Sequence, residues 1–205
     1  AYPFPVPLVQ SAGRWSFDTT AGCEELRNRR VGRNELATLQ TVRAYMAAQR
    51  EYASRDHDGS GVLKYAQRIL SSPGKKDGLF WPANLDGEIS PMGPLVARAQ
   101  LEGPIQKALN PNAAVEPYQG YYFRILTRQG QHAPGGSYHY VINGNMIGGF
   151  ALVAWPAYYG ETGIMTFIVN QQGRVYQKDL GRQTAAIASK MKAYDPDPTW
   201  WMSRD

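Results

Sequence analysis

The residues best equipped for chemistry in this 205-residue chain stand together in Asp56-His57-Asp58-Gly59-Ser60-Gly61-Val62-Leu63. Oxygen side chains at alternate positions, followed by glycine, match the first half of a calcium loop. On that spacing Asp56, Asp58 and Ser60 are side-chain ligands and Val62 offers its carbonyl. Gly61 makes the sharp turn and Leu63 fills the apolar position. The second half departs from the pattern, because Lys64 stands at the ninth position and Gln67 at the twelfth, where a bidentate glutamate is usual. Each departure removes negative charge. The loop therefore reads as a weak calcium site or, without metal, as a capped turn between two helices.

The other candidates carry less. His132 and His139 are the histidines placed among strands, and His139 alternates with Tyr138 and Tyr140 as facing residues of a sheet. These four form a candidate binding set. His57, within the aspartate loop, reads as a solvated side chain. Cys23 lies in Thr19-Thr20-Ala21-Gly22-Cys23, which has none of the local signatures of thiol enzymes. The Gly-rich runs at 133–136 and 147–150 are followed by no Lys-Ser/Thr and open no helix, so they are not phosphate loops. No catalytic residue is assigned. Tyr118, Tyr121, Tyr122, Tyr138, Tyr140, Trp155, Tyr158 and Tyr159 would either stack on a sugar or peptide or, more simply, pack in the core.

The elements that must position these residues follow from periodicity and turn chemistry. Residues 3–9 and 14–18 read as a strand pair around Gly13, and 24–30 as a short helix. A longer helix is expected from an Asn34 cap to Ser54, with Leu36, Leu39, Val42, Met46, Gln49 and Ala53 on its buried face. A further helix is expected from Val62 to Leu70, and another at Gly93–Gly103 within a loop-rich stretch from Pro73 to Pro117. Strands then follow near 120–127, 137–142, 146–155, 163–169 and 173–177. Asn143-Gly144 is a hairpin turn, since both residues accept positive φ. Gly148 and Gly149 mark a bulge or a close backbone approach, and Trp155-Pro156 is a candidate cis peptide. Arg182–Tyr194 reads as a closing helix with Ala185, Ile187, Ala188 and Met191 inward. Helices followed by an antiparallel meander define an α+β fold, with residues 1–30 as an extended arm, the remnant of an upstream region, and 31–205 as one domain.

Composition narrows the partners. A net charge of +5 and a pI near 9.3 are mildly basic. Arg27, Arg29, Arg30 and Arg33 cluster, but Glu24 and Glu25 offset them and no nucleic-acid motif appears, so nucleic acid is not an expected partner. No run approaches the roughly 20 apolar residues of a membrane-spanning helix. One cysteine allows no internal disulfide.

Long segments of the chain resemble the family named domain of unknown function 2950, made up of exported bacterial proteins. Gly32–Leu36, Gln49–Ala53, Tyr65–Arg68, Gly120–Leu126, Gly148–Pro156 and Thr166–Asn170 carry the resemblance, which extends from about Tyr2 to Trp201. It implies a periplasmic or extracellular location after signal-peptide removal, and no activity. The order of helix and sheet, with Gly120–Phe123, Ala154–Pro156 and Phe167–Val175, is also similar to the globular heads of type IV pilins and pseudopilins. The expectation is a non-enzymatic envelope or surface protein that acts through a protein partner or self-assembly. The alternative is a hydrolase or a glycan- or peptide-binding module using the aromatic meander and the 73–117 loops.

Overall fold

The computed structural model describes residues 3–82, 87–92 and 117–203. It is an α+β structure in which one long helix lies on an antiparallel sheet. Strands β1 (Leu8–Ser11) and β2 (Arg14–Phe17) pair as a hairpin through Ala12 and Gly13, both at positive φ. Helix α1 then runs unbroken from Thr19 to Tyr52.

The two expected helices at 24–30 and 34–54 are thus one. Its cap is Asp18, whose carboxylate accepts from the Ala21 N–H at 2.9 Å, and not Asn34. Gly32 suggests a break, because an exposed helical glycine costs about 1 kcal/mol. Ties on both sides of it offset that cost. Arg27 and Arg30 pair with Glu161 at 3.2 and 2.7 Å, and Asn34 donates to the Thr162 carbonyl at 2.8 Å. Glu35 accepts from the N–H groups of Ile164 and Met165.

Thr38, Thr41, Val42, Tyr45, Met46, Gln49 and Tyr52 form the buried stripe of α1. Leu39 packs at its margin, whereas Leu36, expected on this face, is exposed. Val42 and Met46 share one core with Phe150, Leu152 and Phe167, as the helical spacing predicts. Tyr45 meets Phe150 edge-on at 5.6 Å.

The remaining strands are β3 (Tyr121–Leu126), β4 (Arg128–Gln129), β5 (Tyr138–His139), β6 (Val141–Ile142), β7 (Asn145–Met146), β8 (Ala151–Pro156), β9 (Met165–Asn170), β10 (Val175–Asp179), β11 (Ala193–Tyr194) and β12 (Trp201–Met202). The main sheet has the order β12-β10-β9-β8-β3, antiparallel throughout. A smaller sheet, β11-β4-β5, includes one parallel pair. The β6–β7 hairpin turns at Asn143 and Gly144 with φ of 50° and 78°, as expected.

Four expectations are corrected. The strands read at 137–142 and 146–155 are divided, because the Tyr140 carbonyl accepts from both Ile147 and Gly148 and folds the chain back. Gly148 lies so near the His139 carbonyl that a Cβ there would stand 2.9 Å from it. Trp155–Pro156 is trans, since no cis peptide occurs among the described residues; Pro156 ends β8 opposite Tyr121. Residues 62–70 are not helical, for their backbone groups bond to Met146, Gln49, Leu79 and Phe80 instead of to one another. The closing helix is only a 3-10 turn, Gly181–Gln183, and α2 (Thr184–Ala188). The Arg124 guanidinium takes the carbonyls of Ala188, Ser189 and Met191 and ends it, leaving Ala185 and Ile187 exposed. The helix expected at Gly93–Gly103 lies outside the described residues.

Candidate functional site

Helix α1 delivers the chain into the aspartate loop directly after Tyr52. Asp56 sits at the loop's entrance and accepts backbone N–H groups from Asp58, Gly59 and Gly61, the last at 2.7 Å. Asp58 accepts from the Ser60 N–H at 3.3 Å, and Ser60 Oγ from the Val62 N–H at 3.4 Å. Gly59 and Gly61 take positive φ, which glycine adopts without steric cost and which lets the chain curl tightly. The first half therefore has the backbone folding expected of a calcium loop.

Its centre does not fit the metal. Lys64 turns inward and its ammonium lies 2.5 Å from Asp58 Oδ2 and 3.1 Å from Ser60 Oγ. It also reaches Asn145 Oδ1 on β7, at 3.1 Å. The Lys64 hydrogen bond, followed by that of Ser60, holds the Asp58 carboxyl well below the usual carboxylate range. Among the described residues no three His, Cys, Asp or Glu side chains group as metal ligands. Leu63, expected to fill an apolar position, is exposed, and the segment after the loop is extended where a helix is expected.

His57 is no solvated side chain. It stacks on Tyr52 with ring centroids 4.3 Å apart, leans on Trp81 at 5.4 Å, and its Nε2 lies 3.1 Å from the Tyr52 carbonyl. Burial pushes the Tyr52 hydroxyl up to about 12, so it stays protonated and donates to the Lys76 carbonyl.

The two strand-region histidines separate. His132 is exposed and meets Asp195, with Nδ1 and the backbone N–H 3.1 and 2.8 Å from the same carboxylate oxygen. His139 borders an open groove of about 410 Å³ with Arg124, Arg128 and Lys192. Tyr140 is buried and donates to Gln129 Oε1, while Tyr138 lies on the surface against Gln171. The proposed set of four thus splits between core and surface. Cys23 is exposed near the start of α1, in a groove with Thr19, Thr20, Glu24 and Arg27 that no histidine lines.

Helical spacing places Gln49 on the buried face of α1, as observed, but gives neither its partner nor the burial of Gln129. Gln49 donates to the Ala66 carbonyl and accepts from the Ala66 N–H, both at 2.8 Å. Gln129 donates to the carbonyls of Pro134 and Gly136. Each clamps an irregular segment to a regular one, and each partner lies beyond the reach of periodicity.

Fold and site together define an α+β protein with one helix on an antiparallel sheet and a self-bonded aspartate loop. The family model described as "Protein of unknown function (DUF2950)" matches residues 1–202, and the chain belongs to that family. No curated protein and no solved structure matches it. No helix among the described residues is long and apolar enough to cross a membrane.

Proposed function

We propose that this chain is a non-enzymatic exported envelope or surface protein that acts by binding or assembly, and that it docks through the β1–β2 hairpin. The apolar face of that hairpin, which nothing covers among the described residues, carries the reading. Leu8 lies opposite Phe17 and Gln10 opposite Trp15, so these side chains share one face. Phe4 packs edge-on against Phe17 at 5.8 Å. Phe4, Trp15, Phe17 and Leu8 are 72%, 63%, 58% and 54% exposed. A lone two-stranded hairpin is marginal in water, and its open edges are templates for a further strand.

Strand addition, with an apolar surface closing over Trp15 and Phe17, is the chemistry that suits this face. A second copy of the chain is the simplest partner and supplies the same surface by two-fold symmetry. Export rests on the family resemblance. The likeness to pilin heads enters only as an analogy of element order that agrees with assembly. Sedimentation velocity over a wide concentration range tests the docking: the wild-type mass rises with concentration, and Trp15→Ser/Phe17→Ser stays monomeric. A wild-type chain that remains monomeric throughout sinks assembly through this hairpin.

One contact favours a second reading, the hydrolase or glycan- or peptide-binding module. His132 beside Asp195 is an imidazole–carboxylate pair of the kind that orients a base. The pair lies on an exposed turn, which supports it less well than the hairpin supports docking.

A further inference from the structure

The small sheet β11-β4-β5 brings basic side chains from β4, β5 and the approach to β11 into one groove. Arg128 on β4 lies directly opposite His139 on β5, so the two share a face. On its other side Arg128 pairs with Ala193, the residue after Lys192. Arg128, His139 and Lys192 are exposed, and their side chains have no hydrogen-bond or ion-pair partner among the described residues. No carboxylate among those residues lines the groove.

Arg124 adds a further positive charge to the same groove and is fixed in place. Its guanidinium takes the carbonyls of Ala188, Ser189 and Met191 and stands 6.0 Å from the centre of the Trp155 ring. Those partners are neutral, so they position the charge without cancelling it, and burial pushes the guanidinium pKa down. An anion in the groove would offset that penalty. The same bonds hold the turn that delivers Lys192.

We propose that this groove binds a phosphoryl group, as free phosphate or as a small monoester, with Arg128 and Lys192 as its charge partners and His139 and Thr127 as further donors. At pH 7 such a group carries about 1.5 to 2 negative charges and three strong acceptor oxygens. An arginine fork takes two oxygens at once, and a lysine supplies a compact point charge beside it. A carboxylate, with one charge and two oxygens, leaves part of this donor set unused. The groove, at about 410 Å³, falls within the roughly 300–1,000 Å³ of small-molecule sites and holds more than a bare phosphate. Half-buried Ile125 and Met191 line it as an apolar wall for an organic substituent. The site does not depend on docking through the hairpin.

Calorimetric titration of the chain with phenyl phosphate, inorganic phosphate and benzoate tests this. Phenyl phosphate binds at millimolar concentration or below, and benzoate, with the same ring, binds about tenfold more weakly or worse. Arg128→Gln and Lys192→Gln each weaken phenyl phosphate by about tenfold or more. Both positions are exposed, so the variants melt within about 2 °C of wild type. Lys75→Gln removes the same charge from an exposed position outside the groove and binds as wild type does. Inorganic phosphate as tight as phenyl phosphate supports the site with free phosphate as its ligand; weaker inorganic phosphate supports it with a monoester. A wild-type chain that takes up neither phosphate at millimolar concentration overturns the proposal. So does benzoate as tight as phenyl phosphate, a folded Arg128→Gln chain that binds undiminished, or a loss in Lys75→Gln equal to that in Arg128→Gln.

Discussion

The chain contains two antiparallel pairs of equal register and opposite circumstance. Strands β1 and β2 align four residue pairs, and all eight residues are exposed. Strands β8 and β9 also align four pairs, Ala151↔Asn170 to Ala154↔Phe167, and all eight residues are buried. Backbone pairing is the same in both. The difference lies in what covers the faces: α1 lies over one pair, and nothing among the described residues covers the other. Strand-forming sequence thus builds the ladder in either place, while only the second ladder gains the burial that makes a core.

Four changes break or sharpen this contrast. Phe150→Ala strikes where α1 meets the sheet, since the ring is fully buried between Tyr45 and Tyr65. It should cost about 3–5 kcal/mol in denaturant unfolding. A loss below about 1 kcal/mol would mean that the helix is not what stabilises the covered pair. Gln49→Ala strands the N–H and carbonyl of Ala66 in the core. With each buried orphan costing roughly 1–3 kcal/mol, a total near 2–4 kcal/mol is expected. An unchanged midpoint would show that water replaces the amide.

Acid has a smaller, directional effect. Lys64 holds Asp58, and Lys76 holds Glu88, below the usual carboxylate range. Their folded pKa values lie under the unfolded ones. The stability they add is therefore complete above the ordinary carboxylate pKa of about 4 and drains away as pH falls towards the folded values. Each pair is near the surface and contributes at most about 1 kcal/mol. Tm should fall below pH ~4, and fall less steeply in Lys64→Met and Lys76→Met. Parallel curves for variants and wild type would dissociate these lysines from the acid response. The smallest stability effect belongs to Trp15→Ser, within about 0.5 kcal/mol for an uncovered surface position. A large loss of stability there would show that the hairpin is already part of a core.

Much of the covered region is legible in the sequence because its determinants are local. Asn143-Gly144 announces its turn, and the runs read as strands near 120–127, 146–155 and 163–169 cover β3 and all but the last residue of β8 and β9. The spacing of Val42 and Met46 places the helix face correctly. What fails depends on distant partners. Asn34 reads as the cap of a separate helix, yet Glu161 and Thr162 brace one continuous helix through that point. Residues 62–70 have helical spacing, yet Gln49, Met146 and Phe80 claim their backbone. The loop follows the same rule. Lys64 is visible as a charge in the wrong place, but its inward turn depends on Asn145, and the meeting of His132 with Asp195 spans 63 residues.

Helix α1 is 34 residues long, a rod of about 50 Å at 1.5 Å per residue. Its brace at Arg27 leaves the turns from Thr19 onward, and the hairpin before them, beyond the last tie to Glu161. The direction in which Trp15 and Phe17 face is consequently set by residue count along α1 together with the Arg29 bond to the Pro3 carbonyl. Inserting one residue between Thr20 and Leu26 would swing the hairpin by about 100° and lift it by about 1.5 Å, whereas inserting seven would return it to within about 20° of its original bearing.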